Sequence, residues 1–272
     1  MAVTTRELFE SGKLNQAIEA LGAELREHPT DSQRRTFLFE LLCFSGNWDR
    51  ADKQLDVLAG IDEAASKPGA DLAALRKDRR MGALQYRAAI SAERTRHQRF
   101  LGLAEAPEDL APVKGTLNGR AFQSLEDADP RIGARLEVLA GDSYMWIPLA
   151  HIASITMPAP QRLRDLLWAP ATIHAGPQFQ GADLGEVLLP VLSPFSFKHA
   201  DDNVRLGRMT VWETTPEGDV PFGQKMLLLD GEEVPLLELR TLEISRSPAG
   251  GREDEAAGGE DEAAAREDEA EG

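Results

Sequence analysis

The spacing of apolar residues changes character once, near the middle of the chain, and nothing else in the sequence limits the fold as much. From residue 4 to about 103 the apolar positions follow a helical period. In "NQAIEALGAELREH" they place Ala17, Ile18, Leu21 and Leu25 on one face, and Pro29 then ends the helix. "DSQRRTFLFELLCFSG" opens on the cap candidates Asp31 and Ser32 and stops at Gly46. Its stretch from Phe37 to Phe44 is apolar on nearly every side except at Glu40, which predicts a helix covered on more than one side. "NWDRADKQLDVLAGI" puts Ala51, Leu55 and Leu58 on one face, and a long charged helix is expected from Asp71 to about Leu103. Beyond "LAEAPEDLAPVKG" the apolar residues come in short runs bounded by turn signals, which is the pattern of strands.

The helical part carries an internal repeat. Gly12, Ala17 and Leu21 recur 34 residues later as Gly46, Ala51 and Leu55, with the same internal spacing. Such a period is that of tetratricopeptide helix pairs, in which glycine at the turn lets two helices approach and alanine suits a crowded contact. Glu24 stands where that repeat usually has a small residue, and about one and a half copies are legible. A generic pair of helical hairpins would produce the same spacing. In the second half, "ARLEVLAGDSYMWIP" reads as two strands joined at Gly141-Asp142, and "SITM", "GEVLLPVL" and "RMTVWETT" as further strands. Asp230-Gly231 sits between two apolar runs as a hairpin dipeptide. The expected fold class is therefore α+β: an N-terminal tetratricopeptide-like helical array over 1–105, then a mostly β domain over 115–246, a small twisted sheet or SH3-like barrel. An acidic tail over 247–272 is expected to stay outside any core, since from Gly251 to Gly272 it has no apolar residue larger than alanine.

Charge and composition remove several function classes. The chain of 272 residues has a formal net charge of −16, which opposes binding to nucleic-acid phosphates or an anionic membrane surface. Ten acidic and two basic residues between Gly251 and Gly272 supply half of that excess. The lone Cys43 cannot form an intrachain disulfide or a cysteine-based zinc site, and its apolar surroundings predict a buried thiol. "MAVTTRELFESGK" lacks a basic then apolar leader, and no apolar stretch approaches a membrane span, so a cytoplasmic protein is expected.

No catalytic constellation stands above background. The five histidines have no i, i+4 histidine partner, and phosphate-loop, dinucleotide and nucleophile-elbow motifs are missing. His199 with Asp201 and Asp202 has the right atoms for a metal, but a polar loop explains them better. The alternative to a binding protein is a hydrolase-like enzyme in the β-rich half, built on Asp127, Asp129, Arg131 and His151, which would have to converge in one pocket. No cofactor is implied. What the second half does concentrate is aromatic: Trp146, Trp168 and Trp212. Single large aromatics on strands fill β cores, and they also serve as binding anchors. Trp146 is expected to be buried at the end of a strand closed by Pro148.

Taken in order, "SGKLNQAIEALGAELREHPTD", "DADPRIGARLEVLAGDSYMWIPLAHIASITMPAPQRLRDLLWAPA", "LLPVLSPFS", "VRLGRMTVW" and "FGQKMLLLDGEEVPLLELRTLEI" resemble the ImpE/TagJ family of type VI secretion accessory proteins. The resemblance runs from about residue 4 to 246. Its specific pieces are Trp146 with Pro148, then Arg164, Asp165 and Trp168, then Gly207, Arg208 and Trp212, all read as motif residues of structural rather than catalytic use. The chain departs from the pattern at Ser193, where a tyrosine is common, and at Val211, where an aspartate is. The resemblance implies a non-enzymatic cytoplasmic accessory or adaptor protein. Its implied partner is the small contractile-sheath subunit (TssB-like), with a link to sheath assembly or to disassembly by the ClpV-type ATPase. A helical half offers a groove for an apolar guest helix, and Phe37, Leu41, Phe44 and Trp48 are the residues expected to line it, unless they pack between helices.

Overall fold

The computed structural model describes residues 3–60, 72–102, 110–179, 184–215 and 218–245, with backbone alone for 72–79. The change of composition near 103–109 and the acidic tail lie outside the described residues.

Five helices come first. Thr4 caps α1 (Thr5–Glu10): its hydroxyl accepts from the Glu7 amide while the Glu7 carboxylate accepts from the Thr4 amide. That reciprocal pair satisfies two donors that a helix start leaves free. In α2 (Leu14–Glu27) the buried residues are Leu14, Ala17, Ile18, Leu21 and Leu25, one stripe at helical spacing. The Asp31 carboxylate caps α3 (Ser32–Phe44) by accepting from the Arg34 amide. Every residue of α3 from Leu38 to Phe44 is buried, Glu40 included, because neighbouring helices cover one side and the sheet the other. α4 (Trp48–Gly60) buries Ala51 and Leu55, and α5 (Leu72–Leu101) runs for 30 residues, its later half between the helices and the sheet.

An eight-stranded antiparallel sheet dominates the rest, in the order β2-β1-β13-β6-β7-β8-β4-β5. Its strands are β1 (Gly115–Leu117), β2 (Arg120–Phe122), β4 (Arg135–Ala140), β5 (Ser143–Pro148), β6 (Ile152–Thr156), β7 (Trp168–Ala175), β8 (Gly185–Pro190) and β13 (Thr241–Ile244). A three-stranded sheet joins β3 (Leu125–Asp127), β11 (Met226–Leu229) and β12 (Glu232–Pro235), and β9 (Thr210–Thr215) pairs with β10 (Gly218–Gly223). Side-chain alternation sorts the large sheet into two faces. Glu137, Leu139, Tyr144, Trp146 and Trp168 face the helices, whereas Leu136, Val138, Ile147, Ala169, Ala171 and Ile173 enter a second core shared with the three-stranded sheet.

The α+β division holds, but two finer expectations are corrected. The helices do not form a tetratricopeptide-like array. Two hairpins are followed by a single long helix, and the whole group lies on the sheet instead of stacking as a free superhelix. The β half is neither a small twisted sheet nor an SH3-like barrel but a broad eight-stranded sheet. Its width comes from the pairing of β1 with β13 and of β8 with β4, contacts between distant segments that local spacing does not reveal.

The repeat glycines have a role that the array reading missed. Gly12 and Gly46 close the α1–α2 and α3–α4 turns at φ +72° and +68°, a region that side chains with a Cβ rarely adopt. Both turns rest on one stretch of the second half. A Cβ on Gly12 would lie 2.7 Å from Asn203 Oδ1, and one on Gly46 would run into the ring of Phe197. Asn203 belongs to the short helix α6 (Asp202–Arg205), whose Asp202 carboxylate also accepts from the Leu14 amide at 2.8 Å. Phe197 lies in the 3-10 turn Ser196–Lys198.

Candidate partner-binding groove

An open apolar concavity, a groove of about 560 Å³, lies at the N-terminal end. Phe9 from α1, Leu21 from α2, Phe37 from α3 and Leu163 from the 3-10 turn Leu163–Leu166 line it. Phe9 and Phe37 meet edge to face at 5.5 Å, an arrangement favoured by the ring quadrupoles. The charged residues of its lining are paired with one another. Arg6 bonds Glu10 at 2.9 Å on one side, while Arg34 bonds Glu24 at 2.9 Å and also Asp31 on the other. The Thr5 hydroxyl donates to Glu24 at 2.5 Å, tying α1 to α2. An apolar channel between balanced charged rims suits a guest that brings apolar anchors and little net charge.

Of the four residues expected to line a guest site, Phe37 is on the wall of this concavity. Leu41 and Phe44 have no exposed surface, and Trp48 is half-buried between Trp168 (6.5 Å), Phe197 (6.2 Å) and His97 (6.0 Å). These three therefore serve the interior between helices and sheet. Phe9 and Leu163, which sequence reasoning did not single out, complete the groove. The hint was the position of Phe9, in the turn preceding Gly12.

Behind the groove, Leu163 is followed by Arg164, whose Nη1 reaches Glu40 Oε1 at 3.4 Å and whose guanidinium lies 4.9 Å over Tyr86. Asp165 holds this turn by accepting from the amides of Gln161 and Arg162 at 2.9 Å each. Burial pushes the Glu40 carboxyl up to about 7, against the pull of Arg164. A carboxyl that binds its proton more tightly in the native state gives its full contribution below its unfolded value and loses it as pH rises through about 7. Glu40→Gln should therefore gain on the wild type between pH 4 and pH 8, by up to about 3 kcal/mol. Urea unfolding across that range checks it, and a difference that does not change with pH refutes it.

Deeper still, the helix-facing side of the sheet holds a buried ionic cluster. Glu137 on β4 accepts at Oε1 from Arg96 Nε (2.7 Å) and the Tyr144 hydroxyl (2.5 Å), and at Oε2 from Arg96 Nη2 (2.8 Å) and Lys225 Nζ. Lys225 also pairs with Asp127 at 2.5 Å, and the Trp168 indole donates to Glu93 at 3.1 Å. Burial pushes both carboxyls up. In Glu137 the combined pull of Arg96 and Lys225 outweighs it and holds the group well below the usual carboxylate range, while in Asp127 burial wins and raises it to about 6. Every described charge here has a counter-charge, and the members are buried, so the cluster has the character of a structural lock. Of the residues of the hydrolase alternative, three lie together: Asp127 accepts from the Asp129 amide at 2.9 Å, and Arg131 bonds Asp129 at 2.6 Å. Asp127 is also held by Lys225, and His151 lies in the 3-10 turn after β5.

The other motif residues divide between packing and surface. Trp168 is 2% exposed. Trp146 is half-buried rather than buried, covered by Phe100 at 5.6 Å and Arg99 at 4.1 Å, because β5 is the sheet's edge. Pro148 ends β5 opposite Arg135 and precedes the 3-10 turn Leu149–His151, giving the strand, turn and strand expected there. Gly207 packs against Leu192, Arg208 reaches back to α1, and Trp212 is 40% exposed on β9 opposite Pro221. At the two departures from the family pattern, Ser193 is buried with its amide bonded to the Gly223 carbonyl, and Val211 pairs opposite Phe222.

Three similarities bear on this arrangement. A family model described as "ImpE protein" matches residues 119–243. The type VI secretion system accessory component TagJ of Pseudomonas aeruginosa PAO1 is 33% identical, over 92% of this chain and 94% of its own. The X-ray crystal structure of protein VPA1032 from Vibrio parahaemolyticus superposes with a TM-score of 0.73 at 21% identity, covering 89% of this chain and 98% of that one, so the fold is shared.

Proposed function

Because this chain belongs to the ImpE/TagJ family of type VI secretion accessory components, we propose that it is a non-enzymatic cytoplasmic adaptor holding a helical segment of the small sheath subunit in the α1–α3 groove. The observation that carries this reading is the groove itself: an open, aromatic-lined channel of about 560 Å³ with self-neutralised rims. A guest helix places apolar anchors at i, i+3, i+4 and i+7, and Phe9 and Phe37 offer two aromatic contacts to such a row. Through that grip the protein would influence sheath assembly, or the access of the ClpV-type ATPase to the sheath during disassembly.

Titration of the purified cognate sheath subunit tests it. Phe37→Ala is expected to weaken binding by about tenfold or more, the loss of a central aromatic anchor. Apolar burial should also make the wild-type affinity nearly indifferent to salt, even when screening shortens from about 8 Å at physiological strength to about 3 Å at 1 M. Unchanged affinity in Phe37→Ala, or binding that collapses with salt, would place the contact on another surface.

A further inference from the structure

Resting on the groove reading, we propose that Arg208, which is not part of the groove's lining, is the positioning residue that sets the α1 wall and so the affinity of the groove. α1 has six residues, too few to hold helical form unaided. At its N-terminal end it is held by Thr5 on Glu24. At its C-terminal end the Phe9 carbonyl accepts from the Gly12 amide of the turn that follows. Arg208 enters from the second half of the chain and donates Nη2 to Phe9 O at 2.7 Å and Nη1 to Glu10 O at 3.0 Å. Its guanidinium also lies 4.9 Å over the Phe9 ring. One planar group therefore fixes both the backbone of the last helical turn and the ring that faces the guest. The Arg208 amide is itself bonded to Asn203 O at 2.9 Å, on the segment that seats the α1–α2 turn, so its anchor does not move with α1. Arg208 is absent from the groove's lining, which separates this role from direct recognition.

Two carbonyls bridged by one fork require arginine; a lysine ammonium is a point donor and reaches them less completely. The test uses the full-length protein. Hydrogen exchange is followed at the amides of Ser11, Gly12 and Lys13, which donate to the carbonyls of Glu7, Phe9 and Leu8. Arg208→Ala should speed exchange there by about tenfold or more with little change in α3, and Arg208→Lys should fall between it and the wild type. Affinity for the purified sheath subunit should drop in Arg208→Ala but show no further drop when Phe9→Ala is already present, because the two substitutions act through the same wall. Unchanged exchange overturns the proposal, as does a loss of affinity that is just as large in the Phe9→Ala background. If exchange quickens while affinity is unaffected by Arg208→Ala, Phe9→Ala and Phe37→Ala alike, the hold on α1 is real, but the guest binds elsewhere. That result overturns the link to affinity together with the groove reading.

Discussion

Glu137→Ala is expected to cost about 3–5 kcal/mol, enough to remove most of the stability of an ordinary domain. The carboxylate receives four donors from three side chains, Arg96, Tyr144 and Lys225, which come from α5, β5 and the segment before β11. Arg96 and Lys225 are 2% and 3% exposed, so removing their shared partner strands positive charge where water cannot reach it. Glu93 remains 3.4 Å from Arg96, and Asp127 remains on Lys225, which keeps the loss from being larger. Glu137→Gln preserves the shape and should recover only part of the loss, because the negative charge is what the two cations need. Acid should reproduce the effect. A carboxyl held below its unfolded value stabilises the fold above that value and ceases to do so as pH falls through its native one. Urea unfolding of the three proteins at pH 7 measures the series, and a wild-type midpoint in Glu137→Ala would mean that the cluster contributes nothing to stability.

Trp168→Ala is the second large loss, again about 3–5 kcal/mol. The ring is 2% exposed and lies between Tyr86 at 6.2 Å and Trp48 at 6.5 Å, joining β7 in the middle of the sheet to α4 and α5. Trp168→Phe refills most of the volume but cannot supply the hydrogen bond to Glu93. It should cost about 1–3 kcal/mol, the penalty for a buried acceptor left without its donor. Equal losses for the two substitutions would show that the bond, not the packing, is what matters.

These two sites also show which parts of the molecule are legible from sequence. The strand, turn and strand from Ser143 to Thr156 and the hairpin at Asp230-Gly231 are readable because their signals are local: alternation, proline at a strand end, a turn dipeptide. The ionic cluster is not, because Glu137 lies 41 residues from Arg96 and 88 from Lys225. Within "RLEVLA", Glu137 looks like an ordinary outward-facing residue between buried neighbours. Strands β1, β2 and β3 have three residues each, too short for alternation to register. In the groove, Phe37 is visible as part of an apolar helix, whereas Phe9 and Leu163 join it only through the docking of α1 and of the β half. Trp146 illustrates the converse. Its chemistry suggests a core residue, but an edge strand leaves one side of the ring to be covered by Arg99.

The seating of Gly12 and Gly46 on Asn203 and Phe197 bears on how such a protein can change its length. Solenoids grow by duplication because each unit needs only the unit before it. Here each hairpin turn is matched to a different side chain of the later half, so a duplicated third hairpin would arrive with no socket. The helical part is thereby fixed at two hairpins. New sequence is tolerated instead at exposed loops and chain ends, where it displaces neither socket.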